Sequence, residues 1–227
     1  MNEREWLSGT DPALMLDYLR GTGRASERKL RLFAVACCRR LGHLPLGDTV
    51  REAIEVAERF ADGHATAGDL QQAAAKAKWY QHGYPYGVRA RAAVRACSLD
   101  ARDAGSATGH VVFAVYAAAG RSDSVRRAES EEHGDLLRCI IGNPFRVTTH
   151  IGPAALTWND GCIVKLAQAA YEQRSLPDGT LDNARLAVLA DALEEAGCAD
   201  EEILGHLREP GSHVLGCWAI DLLLGKN

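Results

Sequence analysis

Along most of this chain the apolar residues recur at the three-to-four residue spacing of an amphipathic helix. Leu30, Phe33, Cys37 and Leu41 form one stripe, and Val50, Ile54, Ala57 and Ala61 form another. Leu186, Leu189, Ala190 and Leu193 form a third. Near the end, Val214, Trp218 and Leu222 with Leu215, Ala219 and Leu223 make a wide apolar face suited to the inside of a bundle.

Start and stop signals divide the pattern into about ten helices. Asp11 before Pro12 opens the first, which ends near Gly21; Ser26 caps a second, reaching about Leu41. A third begins at Asp48 and a fourth at Thr66-x-x-Asp69, which has the form of a capping box. The loop Gly83-Tyr84-Pro85-Tyr86-Gly87 breaks the fourth, and helices over 88–103, 110–119 and 124–141 follow. Over 110–119, Val111, Val112, Phe113 and Val115 have strand propensity, but the alanines after them favour helix. Gly142-Asn143-Pro144 is a strong terminator, and 145–155, rich in Thr, Pro and Gly, reads as an extended connector. Helices over 158–174, 182–196, 200–208 and 213–224 complete the chain. The expected fold is all-α, a multi-helix bundle or irregular array, with an N-terminal lobe over 1–144 and a C-terminal lobe over 145–227 that could also form one continuous domain. No repeat of constant period supports a regular solenoid.

Composition narrows the class. Hydrophobic residues make up 47% and the net charge is only −4, so a disordered chain is excluded. With aromatics at 6%, the core must rest on Ala, Leu, Val and Ile. The polar start Met1-Asn2-Glu3-Arg4-Glu5 lacks the apolar region of a secretory signal, and no apolar run reaches the length of a membrane span. The seven cysteines are odd in number and mostly flanked by apolar residues, as in Phe33-Ala34-Val35-Ala36-Cys37-Cys38, so they are expected to be reduced and buried in a cytoplasmic protein.

The segment Leu186 to Gly197, with its Leu-Ala-Asp-Ala-Leu-Glu-Glu core, resembles the short repeat-companion segment of planctomycete proteins. Phe33 to Arg40, Gly142-Asn143-Pro144-Phe145-Arg146, Gly216-Cys217-Trp218 and Asp221 to Lys226 resemble a wider family of uncharacterised planctomycete proteins. That resemblance implies a bacterial, cytoplasmic setting and carries no reaction, cofactor or catalytic residue with it.

Three groups of residues could carry chemistry. Cys198, His206, His213 and Cys217 are the ligand types of a tetrahedral zinc site, although their spacing follows no finger pattern. On a helix over 213–224, His213 and Cys217 would share a face; the competing reading makes these cysteines packing residues and the histidines caps or surface groups. Residues 70–99 contain Lys76, Lys78, Arg89, Arg91 and Arg95 without a carboxylate, interleaved with Trp79, Tyr80, Tyr84 and Tyr86. Cations attract phosphates and aromatic faces stack on bases, but the overall pI near 6.1 is not that of a dedicated nucleic-acid binder. A charge match with the acidic stretch 182–209 is the alternative. In that stretch Asp191, Glu194 and Glu195 could bind a hard cation or exchange protons, yet Glu194 and Glu195 diverge around a helix, and Asp200-Glu201-Glu202 suits a helix N-terminus. Gly-x-Ser-x-Gly, the phosphate-binding loop and His-Glu-x-x-His are all absent. The reading that follows is a non-enzymatic helical interaction or scaffold module, acting on a protein partner or by self-association. Its alternatives are a nucleic-acid-associated protein and a zinc-binding one; zinc is the one cofactor considered.

Overall fold

The computed structural model describes residues 1–43, 47–79, 86–98, 100, 107–146 and 151–226. Among them are twelve α-helices and no strand longer than an isolated bridge, so the fold is an all-α array. The helices are α1 (Glu3–Ser8), α2 (Pro12–Thr22), α3 (Glu27–Arg39), α4 (Asp48–Ala61), α5 (Ala67–Lys78) and α6 (Tyr86–Ala96). After them come α7 (Ala107–Ala118), α8 (Asp123–Ile141), α9 (Pro153–Glu172), α10 (Asn183–Glu195), α11 (Glu201–Arg208) and α12 (Trp218–Leu224).

The capping signals act as their chemistry requires. Asp11, Ser26, Thr66, Asp182 and Asp200 each accept a hydrogen bond from a free amide in the first turn of α2, α3, α5, α10 and α11. Helix α1 is an addition to the expected pattern. Asn2 accepts from Glu5 N at 2.9 Å while Glu5 accepts from Asn2 N at 2.9 Å, so a reciprocal cap starts this short helix. Its one buried residue, Trp6, donates its indole N–H to Gly142 O at 3.0 Å, pinning the N-terminus to the end of α8.

Other boundaries differ from expectation. Helix α6 ends at Ala96, where the pattern predicts continuation to 103; positions 99 and 101–103, like Tyr84 and the loop 81–85, lie outside the described residues. The connector is shorter than 145–155, since Pro153 already occupies the first turn of α9; positions 147–150 lie outside the described residues. Helix α9 is broken at Trp158, and Asn159, Asp160 and Gly161 have positive φ. Asn, Asp and Gly are the residues that tolerate this left-handed conformation, so the break is written in the sequence. The largest change is at the C-terminus. The helix predicted over 213–224 begins only at Trp218, because Gly216 has φ +85° and Cys217, with ψ 124°, is not helical. Residues 209–217 are a loop after Pro210, tied down where Leu181 N donates to His213 O at 2.8 Å.

Helix α3 is the axis of the fold. Every residue from Leu30 to Arg39 is buried, the mark of a helix surrounded on all sides. It packs against α4, α6, α7 and α8, while α9, α10, α11 and α12 pack on one another and reach α8 through α12. One hydrophobic cluster contains residues from both sides of position 144, including Phe33, Leu137, Leu189 and Ile220. Among the described residues, no helix is long and apolar enough to cross a membrane.

Candidate metal centre

The seam where α8, α11 and the 209–217 loop meet gathers four ligand-type side chains. Cys139 comes from the last turn of α8, His206 from α11, His213 from the loop and Cys217 from the residue that precedes α12. Their donor atoms all lie within 4.8 Å of one another. His206 Nε2 is 3.2 Å from Cys217 Sγ, and His213 Nδ1 is 3.9 Å from Cys139 Sγ. A zinc ion with ordinary bond lengths holds such donors roughly 3.5 Å apart, so small side-chain adjustments close a tetrahedron here. Two sulfurs and two imidazoles suit a borderline-soft cation, which favours zinc over magnesium or calcium.

The surroundings orient the ligands. His213 Nε2 is 2.9 Å from Glu209 O. A carbonyl only accepts, so Nε2 carries a proton and Nδ1, which faces Cys139, is the ring nitrogen that a cation would take in place of a proton. This is the second partner that metal-binding imidazoles ordinarily have. The His206 ring meets that of His213 edge-on at 4.8 Å and lies 5.3 Å from the Trp218 ring. Lys29 Nζ donates to Ile140 O at 2.9 Å and to Gly216 O at 2.7 Å, holding the backbone beside both cysteines from α3. Gly216 is needed for two reasons. Its φ is +85°, and a Cβ there would stand 2.8 Å from Leu32 Cδ1.

Charge in the cluster follows from packing. Cys217 is fully buried, which opposes ionisation. The hydrogen bond from the Cys139 thiol and the two neighbouring imidazoles outweigh that, and hold Cys217 well below the usual thiol range. Cys139 moves the other way, first because it donates to Cys217 and second because it is buried. Burial works against an imidazolium at His213, but its contacts with Cys217 and the Glu209 carbonyl prevail and raise it. A cavity of about 590 Å³ opens on the cluster; Cys139, His206 and His213 line it, with Glu132, Asp135 and Glu209 at its walls. A cation can reach the donors by this route.

Of the four ligands expected from the sequence, the structure brings His206, His213 and Cys217 together and leaves Cys198 apart. Cys198 is half-buried beyond the end of α10, where its N–H donates to Leu193 O at 2.9 Å. Cys139 takes the fourth corner. Only its helix-end position beside Gly142-Asn143-Pro144 marks it in the sequence, and no local spacing rule connects it to the C-terminal residues.

The other candidate groups have separate places. Asp191 and Glu194 both accept from Arg208, at 2.7 and 2.5 Å, and Asp200 caps α11. Of the basic stretch, Lys76 pairs with Glu52 at 2.9 Å, Arg89 is buried, and Trp79 is 85% exposed. Lys78, Arg91 and Arg95 share a separate cavity. Tyr84 lies outside the described residues, and for Tyr86 only its place at the start of α6 is described. Cys37 and Cys38 are both fully buried, and burial pushes the Cys38 thiol up, the opposite of the shift that activates a thiol. Comparisons with protein-family models, with curated proteins and with solved structures find no match for this chain.

Proposed function

We propose that this is a zinc-binding helical protein whose metal is structural. Cys139, His206, His213 and Cys217 hold one ion that fastens the C-terminal loop and α12 to the end of α8. The observation that carries this reading is the convergence of two thiol and two imidazole donors within 4.8 Å, from three separate parts of the chain. Four protein ligands fill a tetrahedron and leave no open position for a substrate, which separates this arrangement from a catalytic zinc site. The Glu209 carbonyl on His213 supports it, because it selects the tautomer that a metal requires. A fixed metal suits a module that works by presenting a rigid surface, in keeping with the interaction role expected from the sequence.

The test is elemental analysis of protein purified without a metal-affinity column. About one zinc per chain is expected. Cys139→Ser and Cys217→Ser should lower it to near zero, whereas Cys198→Ser should leave it unchanged. Chelation should lower the thermal midpoint of the wild-type protein and leave that of Cys217→Ser where it is. Wild-type protein free of zinc, or a Cys198→Ser variant as depleted as Cys217→Ser, overturns the reading.

A further inference from the structure

All seven cysteines are free, but two of them stand apart from the rest. Cys139 and Cys217 come from the end of α8 and from the loop before α12, yet their sulfurs lie within 4.8 Å of each other. The backbones beside them are pinned together as well. One ammonium, Lys29 Nζ, donates to Ile140 O at 2.9 Å and to Gly216 O at 2.7 Å. A disulfide needs its sulfurs about 2 Å apart, so under about 3 Å remains to be closed. That distance lies within the sweep of a cysteine side chain between rotamers.

The two sulfurs are not equally reachable. Cys139 lines the cavity of about 590 Å³ and keeps 5% of its surface exposed, whereas Cys217 does not line it and is 0% exposed. A hydroperoxide as small as hydrogen peroxide is little larger than water and can reach Cys139 by the route that admits the ion. Once coordinated, both sulfurs are thiolates, because a metal-bound thiol is deprotonated outright, and the thiolate is the nucleophile. Cys97 shows the contrast. It too lines a cavity, but its thiol donates to Ala53 O at 3.0 Å and burial pushes it up to about 12, so it stays protonated. Cys162 and Cys198 are part-exposed and stand outside the Cys/His cluster.

We infer that Cys139 and Cys217 are an oxidation site that controls the metal: a hydroperoxide joins them in a disulfide, and the zinc is released. The inference rests on the metal reading above for the thiolate state of both sulfurs. Cys139 Sγ attacks one peroxide oxygen; the O–O bond breaks, and the departing hydroxide takes a proton from solvent, which leaves Cys139 as a sulfenic acid. Cys217 Sγ then attacks the Cys139 sulfur. The S–S bond forms, the S–O bond breaks, and a second hydroxide leaves and is protonated. Two electrons pass from the two sulfurs to one peroxide, and two protons are consumed in making two waters. The ion keeps only two imidazoles and dissociates. The disulfide still ties the loop to α8, whereas His206 loses its bond to the centre, so α11 is the element whose attachment oxidation weakens.

The experiment uses the full chain as purified, with its zinc content measured first. Hydrogen peroxide is added in stoichiometric steps, released zinc is followed with a chromogenic chelator against a control without peroxide, and cysteine pairing is read by peptide mass mapping after free thiols are alkylated. Zinc release and a Cys139–Cys217 disulfide are expected to rise together in equal amounts, and dithiothreitol with added zinc should restore the loaded protein. The double variant Cys162→Ser, Cys198→Ser lacks the two part-exposed thiols and should release zinc as wild type does. Zinc-loaded protein that keeps its metal in excess peroxide overturns the inference and leaves the metal reading standing. So does release that comes with sulfinic acids or other cysteine pairings in place of this disulfide. Protein that carries no zinc from the start refutes the metal reading, and the inference with it.

Discussion

Helices α5, α6 and α7 and the C-terminal segment from α11 to α12 are both helical and both buried, yet they are held in opposite ways. The first region packs through alanine. Ala73 and Ala77 on α5, Ala90, Ala92, Ala93 and Ala96 on α6, and Ala107 and Ala114 on α7 are all buried, so the backbones approach closely and long apolar stripes supply the contact. The second region is too short for that. Helices α11 and α12 have eight and seven residues, and a nine-residue loop that includes Gly211 and Gly216 joins them. Such pieces bury little apolar area for the entropy lost in ordering them. Directional chemistry takes over instead. Besides the Cys/His cluster, buried Asp221 of α12 accepts from Arg28 Nη1 at 2.6 Å and Nη2 at 3.1 Å, and it lies 2.5 Å from Lys29 Nζ. Arg28 reaches on to Asp62 at 2.8 Å, which also takes the Tyr171 hydroxyl and Lys226. The lesson is that helix length decides the kind of glue: long helices can rely on area, short ones need bonds with fixed partners.

Three substitutions probe that contrast, beginning with the largest expected effect. Asp221→Asn strips the charge from the carboxylate that joins Arg28 and Lys29 to α12, leaving Lys29 without its paired carboxylate and Arg28 with Asp62 alone. A loss of about 3–5 kcal/mol is expected, seen as a fall of roughly 10 °C in the thermal midpoint. A variant that melts like wild type would show that apolar burial holds α12 after all. Next, Ala93→Leu forces a larger side chain into the fully buried face of α6. It should cost about 1–3 kcal/mol in chemical denaturation while zinc content stays unchanged; a neutral result would mean that the alanine packing has slack. The smallest effect belongs to Asp200→Ala. Asp200 accepts from Glu202 N at 2.9 Å and Ile203 N at 3.0 Å, and losing this cap from the helix that carries His206 should cost about 1 kcal/mol. The destabilisation should grow when zinc is chelated if the metal compensates for weak local helix formation, and stay constant if it does not.

Much of the architecture was legible before any contact was known, because caps and stripes act within a few residues. Asp11, Ser26, Thr66, Asp182 and Asp200 begin helices where their side chains can reach the free amides. In α7 the alanines outweigh the strand propensity of Val111, Val112, Phe113 and Val115, and the segment is helical. The misses were also local in cause. Asn2 and Glu5 form a reciprocal cap in a stretch whose polar pattern carries no apolar stripe. The C-terminal apolar face extended the last helix across Gly216, where periodicity could not register a positive φ.

The sequence by itself determined the helical class, most helix starts and the set of residue types from which a metal centre or a cationic cavity can be built, because propensity, capping and periodicity are properties of neighbouring residues. Only the tertiary structure decided which of those residues meet. Cys139 stands beside His206, His213 and Cys217 through the docking of α8 against the 209–217 loop, with Lys29 gripping the backbone on both sides, and Cys198 is not part of the cluster. His110 joins Lys78, Arg91 and Arg95 by the packing of α7 on α6. Convergence of this kind depends on distances through space between elements remote along the chain, and no spacing along the chain encodes it.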